Sequence, residues 1–201
     1  MEDIRASENA SVREDGLAEH TADDDMKIVG SMPERTADAG ETEAASYERH
    51  RDNGNLKKAV VLGRRLAEEL LKPDSAAMIG KDEQESLLII KNRRILFAFV
   101  ADMVLAMKTP DSIVAESAQD AFYSHVREND PELYGYIEKA SEFSMYLACG
   151  RDKKSAASIG KTFARLVGMP ERRLIEMFGS ELYDYYFYFC SKLVKETGFQ
   201  K

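Results

Sequence analysis

The chain has 201 residues, an apolar fraction of 44%, no tryptophan and a formal net charge of −8. This length holds one domain with a tail or two very small domains, and the apolar fraction suffices for a buried core. The two cysteines, Cys149 and Cys190, lie far apart in no metal-binding spacing, and no basic segment followed by an apolar run is visible at the N-terminus. These features argue against a disulfide-stabilised secreted scaffold. They predict a cytoplasmic protein without signal peptide, cofactor or metal.

The negative charge is concentrated in the first 53 residues. This segment holds 15 acidic and 6 basic side chains, whereas residues 54–201 hold 21 acidic and 22 basic ones. Because the segment also has few large apolar side chains, it cannot bury enough surface to offset the entropy lost on ordering. We therefore predict a disordered acidic tail over residues 1–53 and a folded domain over residues 54–201.

The apolar spacing of the domain is that of α-helices, with no alternating strand-turn-strand pattern. Predicted helices cover residues 55–72, 82–108, 111–128, 131–149 and 155–167, a short segment from residue 170 and a last segment after residue 180. Asn55, Asp111 and Ser180 are candidate N-caps. The predicted fold is all-α, a compact bundle or an array of helical hairpins with about six or seven helices.

An aromatic run near the C-terminus raises the question of a binding surface. Six of the seven residues from 183 to 189 are aromatic, interrupted by Asp184. On a helix they would cover two of the three faces, which predicts a helix packed between neighbours. Tyrosine hydroxyls need water or a buried acceptor, so Tyr185 and Tyr188 remain candidates for a contact surface. Lys192 and Lys195 follow the aromatics rather than alternate with them, unlike a base-stacking surface.

Asp102 is the most unusual residue of the domain. It is the one polar side chain among the 13 residues from 95 to 107, a stretch too short for the roughly 20 residues of a membrane span. We therefore predict a central helix and no membrane insertion. A carboxylate there must be paired, hydrogen-bonded or neutralised, either as a buried polar tether or as part of a pocket. His125, the one histidine of the predicted domain, is the candidate partner for acid–base chemistry, although a core or rim role is the simpler interpretation.

Residues 160–179, GKTFARLVGMPERRLIEMFG, resemble a helix-turn-helix motif. Ala164 and Gly168 are four residues apart, as in that motif. The positions that would be buried are Phe163, Val167, Met169, Leu174 and Met177. The resemblance implies contacts to nucleic acid from Lys161, Arg165, Arg172 and Arg173. Glu171 and Glu176 would also face the polyanion, and the domain carries a net charge of only +1, which favours a purely structural hairpin.

These observations predict a binding or regulatory module without enzymatic activity, with a protein as partner and homo-oligomerisation left open. Its candidate binding residues are Asp102, His125, Tyr185 and Tyr188. The first alternative is a DNA-binding regulator that uses residues 160–179. The second is an enzyme or small-molecule-binding domain with a pocket around Asp102.

Overall fold

The computed structural model describes residues 42–72, 83–139, 141–149 and 155–200, and every regular element within these ranges is an α-helix. The helices are α1 (Glu43–Asp52), α2 (Asn55–Leu70), α3 (Glu83–Lys108), α4 (Ser112–Asn129), α5 (Pro131–Lys139), α6 (Ser141–Cys149), α7 (Ser155–Leu166) and α8 (Arg173–Thr197). The all-α prediction is confirmed, although the described ranges hold eight helices where about six or seven were expected. The prediction that residues 1–41 are disordered falls on residues that the structure does not describe.

Helix α1 lies in the segment that composition assigns to the tail. Thr42 begins it as an N-cap, with its hydroxyl accepting a hydrogen bond from the Ala45 N–H at 3.3 Å. His50 is its one fully buried side chain, so the helix has almost no apolar face for a pattern search to detect. Polar contacts to α2 and α4 hold it in place. The structure therefore differs from the predicted tail at residues 43–52.

Two further differences concern where helices begin. The predicted helix over residues 131–149 is two helices, α5 and α6, which pack against different neighbours: α5 against α4, and α6 against α3 and α7. The predicted helices from residues 170 and 180 are one helix, α8. Ser180 is therefore not an N-cap, since it lies inside α8, where its hydroxyl donates to the Glu176 carbonyl oxygen at 3.1 Å. Gly198, in the left-handed conformation at φ 62°, ends α8.

Helix α3 is the centre of the bundle, as the sequence predicts. It contacts α2, α4, α6 and α8. Its buried side chains between residues 95 and 105 are Ile95, Leu96, Phe97, Ala98, Phe99, Val100, Ala101, Val104 and Leu105. In a water-exposed protein, a helix that is apolar on all sides must be surrounded by other helices. No helix in the described part of the chain is long and apolar enough to cross a membrane.

Glycines allow close contact between helices at two places. A Cβ added at Gly63 of α2 would lie 2.1 Å from the Ala118 carbonyl oxygen of α4. In the α7–α8 hairpin, a Cβ at Gly160 would lie 2.3 Å from the Glu176 carbonyl oxygen. Distances this short mean that the helix backbones themselves are in contact. The pairs α2–α4 and α7–α8 are thus closely packed units that both rest on α3.

Candidate functional site

A partly buried polar cluster joins α1 to the rest of the fold. It consists of His50, Asn55, Asp111 and Gln200, and is called the His50 cluster below. Asn55 opens α2 rather than capping it, since the N-cap is Gly54 in the left-handed conformation. The Asn55 amide donates to the Gln200 carbonyl oxygen at 2.8 Å and accepts from the Gln200 N–H at 2.9 Å. The same amide nitrogen lies 2.8 Å from Nδ1 of His50.

These contacts define the tautomer of His50. Because Asn55 presents an amide donor to Nδ1, that ring nitrogen acts as acceptor and the proton resides on Nε2. Nε2 faces Oδ2 of Asp111. The imidazole of His50 therefore connects the start of α2 to the carboxylate at the start of α4.

Asp111 has several partners at the start of α4. Its Oδ1 accepts from the Val114 N–H at 3.0 Å, as predicted for an N-cap, and its Oδ2 accepts from the Ser46 hydroxyl at 2.8 Å. Partial burial acts to raise the pKa of Asp111, but the hydrogen bonds from Val114 and Ser46 and the contact with His50 together lower it below its usual value. Asp111 therefore stays ionised while fixing α1 against α4.

Fixing α1 in this way creates a groove between α1, α2 and α4, with a volume of about 810 Å³. Its lining residues are Glu43, Ala44 and Tyr47 of α1, Leu56, Val60 and Arg64 of α2, and Ile113, Glu116, Ser117, Asp120, Ala121, Ser124, His125 and Glu128 of α4. We call it the acidic groove. Along α4 it extends for roughly 22 Å, at 1.5 Å per residue from Ile113 to Glu128.

The groove has an apolar floor and a negatively charged edge. Leu56, Val60 and Ile113 are partly exposed along it, and Tyr47 is 50% exposed. Four carboxylates line it against one arginine; the carboxylates belong to Glu43, Glu116, Asp120 and Glu128. Exposed apolar surface bordered by charge of one sign is typical of a site that binds another macromolecule.

The structure separates the two residues predicted for acid–base chemistry. His125 lines the acidic groove, whereas Asp102 is not among the lining residues. Tyr123, two residues before His125 on α4, points to a different face of that helix and donates its hydroxyl proton to Oδ2 of Asp102 at 2.7 Å. The Tyr123 hydrogen bond thus makes Asp102 a polar contact between α3 and α4.

The environment of Asp102 is unfavourable for its charge. Its Oδ1 is buried and has no hydrogen-bond partner among the described residues. Burial raises the pKa of Asp102 from 3.8 to about 6, and the hydrogen bond from Tyr123 opposes part of that rise. The folded protein therefore holds a proton on Asp102 at pH values where the unfolded chain has lost it.

We expect Asp102→Asn to make the fold more stable at neutral pH. The wild-type protein gains stability from protonated Asp102 below about pH 4 and loses that gain as the pH rises through about 6. The pH-dependent part of this difference corresponds to at most about 3 kcal/mol, and the buried amide of the variant adds only a pH-independent offset. The free energy of unfolding of the variant relative to wild type should rise by about 1–3 kcal/mol between pH 4 and pH 7. Urea denaturation across that range measures it, and a pH-independent difference would contradict the assignment.

The aromatic residues of α8 are divided between core and surface. Tyr183 and Tyr186 are buried at 8% and 3% exposure, whereas Tyr185 and Tyr188 are 56% and 67% exposed. The Tyr186 ring packs edge-on against Phe97 of α3, with centroids 5.0 Å apart. Both predicted binding tyrosines are therefore accessible, and neither lines the acidic groove.

The segment that resembles a helix-turn-helix forms the α7–α8 hairpin. Phe163, Val167 and Met169 are buried as expected, but Leu174 and Met177 are 64% and 50% exposed. Ile175 and Gly179 face inward instead. Gly179 is so close to α7 that an added Cβ would lie 2.6 Å from the Phe163 side chain. Of the four basic candidates, Lys161, Arg165 and Arg173 are exposed, and Arg172 is partly buried with Nη1 3.2 Å from the Met169 sulfur. The role of these residues with nucleic acid stays a prediction.

No three His, Cys, Asp or Glu side chains among the described residues are close enough to hold a metal ion. Burial raises the pKa of the Cys190 thiol to about 12, so this residue is not a thiolate nucleophile at neutral pH.

Sequence reasoning missed the acidic groove, although one signal for it was present. Leu56 and Val60 are partly exposed along the groove, whereas the buried apolar side chains of α2 are Ala59, Leu62, Leu66, Ala67 and Leu70. Helix α2 therefore has two apolar stripes, more than packing against one neighbour requires. The second stripe indicated an additional contact surface.

Comparison of the chain with family models, with curated proteins and with solved structures gives no match. The function is therefore argued from the geometry of the molecule.

Proposed function

We propose that this protein is a non-enzymatic binding module that takes a basic, amphipathic helical segment of a partner protein in the acidic groove. The observation that carries the proposal is the apolar floor of Leu56, Val60 and Ile113 within an edge of four carboxylates. A helix laid in such a groove would bury apolar side chains at every third or fourth position and place lysine or arginine at the edge.

The size of the groove supports a helical ligand. Its length of roughly 22 Å along α4 corresponds to about four helical turns. Its walls are helices held by the His50 cluster and by the Gly63 contact, so the site exists before the ligand binds. A preformed site avoids part of the entropic cost of binding.

Two adjacent valines of α2 offer a matched test. Val60 lines the groove, whereas Val61 is 65% exposed and is not part of the lining. We expect Val60→Arg to weaken the binding of a fluorescent Leu/Lys amphipathic peptide by at least about tenfold, because it removes apolar floor and adds a repelling charge. Val61→Arg should leave the affinity within about twofold of wild type. Fluorescence anisotropy with the full chain measures both.

The peptide control separates charge from hydrophobicity. A Leu/Glu peptide of the same length and apolar spacing should bind weakly, and added salt should weaken only the Leu/Lys complex. Equal affinity of both peptides, or an equal effect of both valine variants, would refute the proposed site. Binding of duplex DNA that depends on Arg172 and Arg173 would instead favour the alternative function.

A further inference from the structure

One side of α8 is exposed along most of the helix. Its exposed residues are Glu181, Asp184, Tyr185, Tyr188, Lys192 and Lys195. We call it the Tyr188 face. These residues recur every three or four positions, which places them within about 100° of one another around the helix axis. Leu174 and Met177, at 64% and 50% exposure, continue the face toward the start of α8. Large apolar side chains that share one exposed strip indicate a contact surface.

The charges of the Tyr188 face are arranged in opposite order on the two sides of Tyr188. Asp184 lies four residues before Tyr188, and Lys192 lies four residues after it. Glu181 lies seven residues before Tyr188, and Lys195 lies seven residues after it. The first half of the face is therefore acidic and the second half basic. Such a face is complementary to itself when a second copy lies antiparallel on it, because each carboxylate then meets a lysine.

We infer that the partner of the Tyr188 face is a second copy of this chain, with the two α8 helices antiparallel about a two-fold axis at Tyr188. The axis brings Tyr188 against the same residue of the other copy. It also pairs the acidic half of each face with the basic half of the other. A contact of this kind uses the same surface on both copies, so it closes at a dimer. The inference does not rest on the acidic groove, whose lining shares no residue with the face.

Little has to be given up within one copy for this contact to form. Lys192 lies 3.7 Å from Glu196, and both side chains are about half exposed. An exposed pair contributes less than about 1 kcal/mol, so its loss opposes dimerisation only weakly. The Tyr185 ring already stacks on Phe189, with centroids 6.2 Å apart, so it loses little freedom when it is covered. One helix from each copy covers less than the roughly 800 Å² per partner of a standard interface, so we expect a dissociation constant of about 10–100 µM.

Sedimentation velocity of the full chain at concentrations up to about 500 µM tests the inference with two charge variants. One variant combines Glu181→Lys with Asp184→Lys, and the other combines Lys192→Glu with Lys195→Glu. Each should stay monomeric where the wild type is dimeric, because its face carries charge of one sign. An equimolar mixture of the two variants should form a heterodimer, because every lysine then meets a carboxylate again. Tyr188→Ala should weaken the wild-type dimer by at least about tenfold, because it removes the aromatic contact at the axis.

The matched control is Lys161→Glu with Arg165→Glu, which makes the same change of net charge as the lysine variant at two exposed positions of α7. It should dimerise within about twofold of wild-type affinity, since exposed substitutions away from a contact have small effects. If one charge variant does not fold, Tyr188→Ala and the other variant still test the face.

Three results would overturn the inference: a wild-type chain that is monomeric at about 500 µM, a dimer that neither charge variant weakens, or charge variants that do not associate when mixed. A dimer that Val60→Arg abolishes and Tyr188→Ala leaves intact would also overturn it, because the second copy would then occupy the acidic groove.

Discussion

Replacing Gly63 with alanine is expected to lower the free energy of unfolding by about 3 kcal/mol or more. The added Cβ would lie 2.1 Å from the Ala118 carbonyl oxygen and 2.9 Å from the Phe122 amide nitrogen, both backbone atoms of α4. Backbone cannot rotate away as a side chain can, so α2 and α4 must separate along their contact. Core overpacking costs typically about 1–3 kcal/mol, and a clash with two backbone atoms of a neighbouring helix lies at or above the upper end.

The matched control for this prediction is Gly135→Ala. Gly135 also lies inside a helix, α5, but a Cβ there would meet nothing within 4 Å. Alanine is the better helix former by up to about 1 kcal/mol, so this variant should be unchanged or more stable. Chemical denaturation of both variants measures the contrast. Similar effects of the two substitutions would show that backbone contact at Gly63 does not hold α2 and α4 together.

Replacing Asn55 with alanine is also expected to lower the free energy of unfolding by about 3 kcal/mol. The substitution removes two hydrogen bonds to Gln200 and the contact with Nδ1 of His50. It also leaves His50 buried without that partner, and each buried polar group left unsatisfied costs about 1–3 kcal/mol. Since Asn55 links α1 to the C-terminal segment, amide hydrogen exchange should accelerate in both.

Asn129→Ala provides the comparison for that loss. The Asn129 side chain also donates a hydrogen bond, to the His125 carbonyl oxygen at 2.8 Å, but in an exposed position. Water can replace that bond, so the variant should lose no more than about 0.5 kcal/mol. A cost for Asn55→Ala as small as that for Asn129→Ala would contradict the role given to the His50 cluster.

The helices that the sequence predicted well are those with local signals. Helix α4 has an acidic N-cap, Asp111, and α3 has an apolar run that required a central position. Helix α1 has an N-cap, Thr42, but no apolar face, and its position depends on contacts between residues far apart in the chain. The Ser46–Asp111 and Asn55–Gln200 hydrogen bonds join residues separated by 65 and 145 positions. Periodicity and composition within one window cannot reveal such pairs.

The candidate site was only partly predictable for the same reason. His125 was singled out from the sequence and does line the groove. The opposite wall, with Glu43 and Tyr47, belongs to a segment that was expected to be disordered. Asp102 was recognised as unusual because of its apolar neighbours in sequence, but its partner Tyr123 on α4 depends on how α3 and α4 cross. The sequence patterns therefore identified unusual residues, but not the surfaces that residues from different helices form together.

The stability predictions bear on the proposed function, because the groove exists only while its walls are in place. Asn55→Ala should loosen α1, the wall that contributes Glu43 and Tyr47. We therefore expect this variant to bind the Leu/Lys peptide more weakly than wild type even where it remains folded.

The most direct test of the central claim is chemical-shift mapping of the ¹⁵N-labelled full chain with the Leu/Lys amphipathic peptide. If a basic helix binds in the acidic groove, the largest changes should fall on the amides of Tyr47, Val60 and Ala121 and their neighbours in α1, α2 and α4. Changes confined to the exposed face of α8 or to residues 160–179, or no changes at saturating peptide, would contradict the claim.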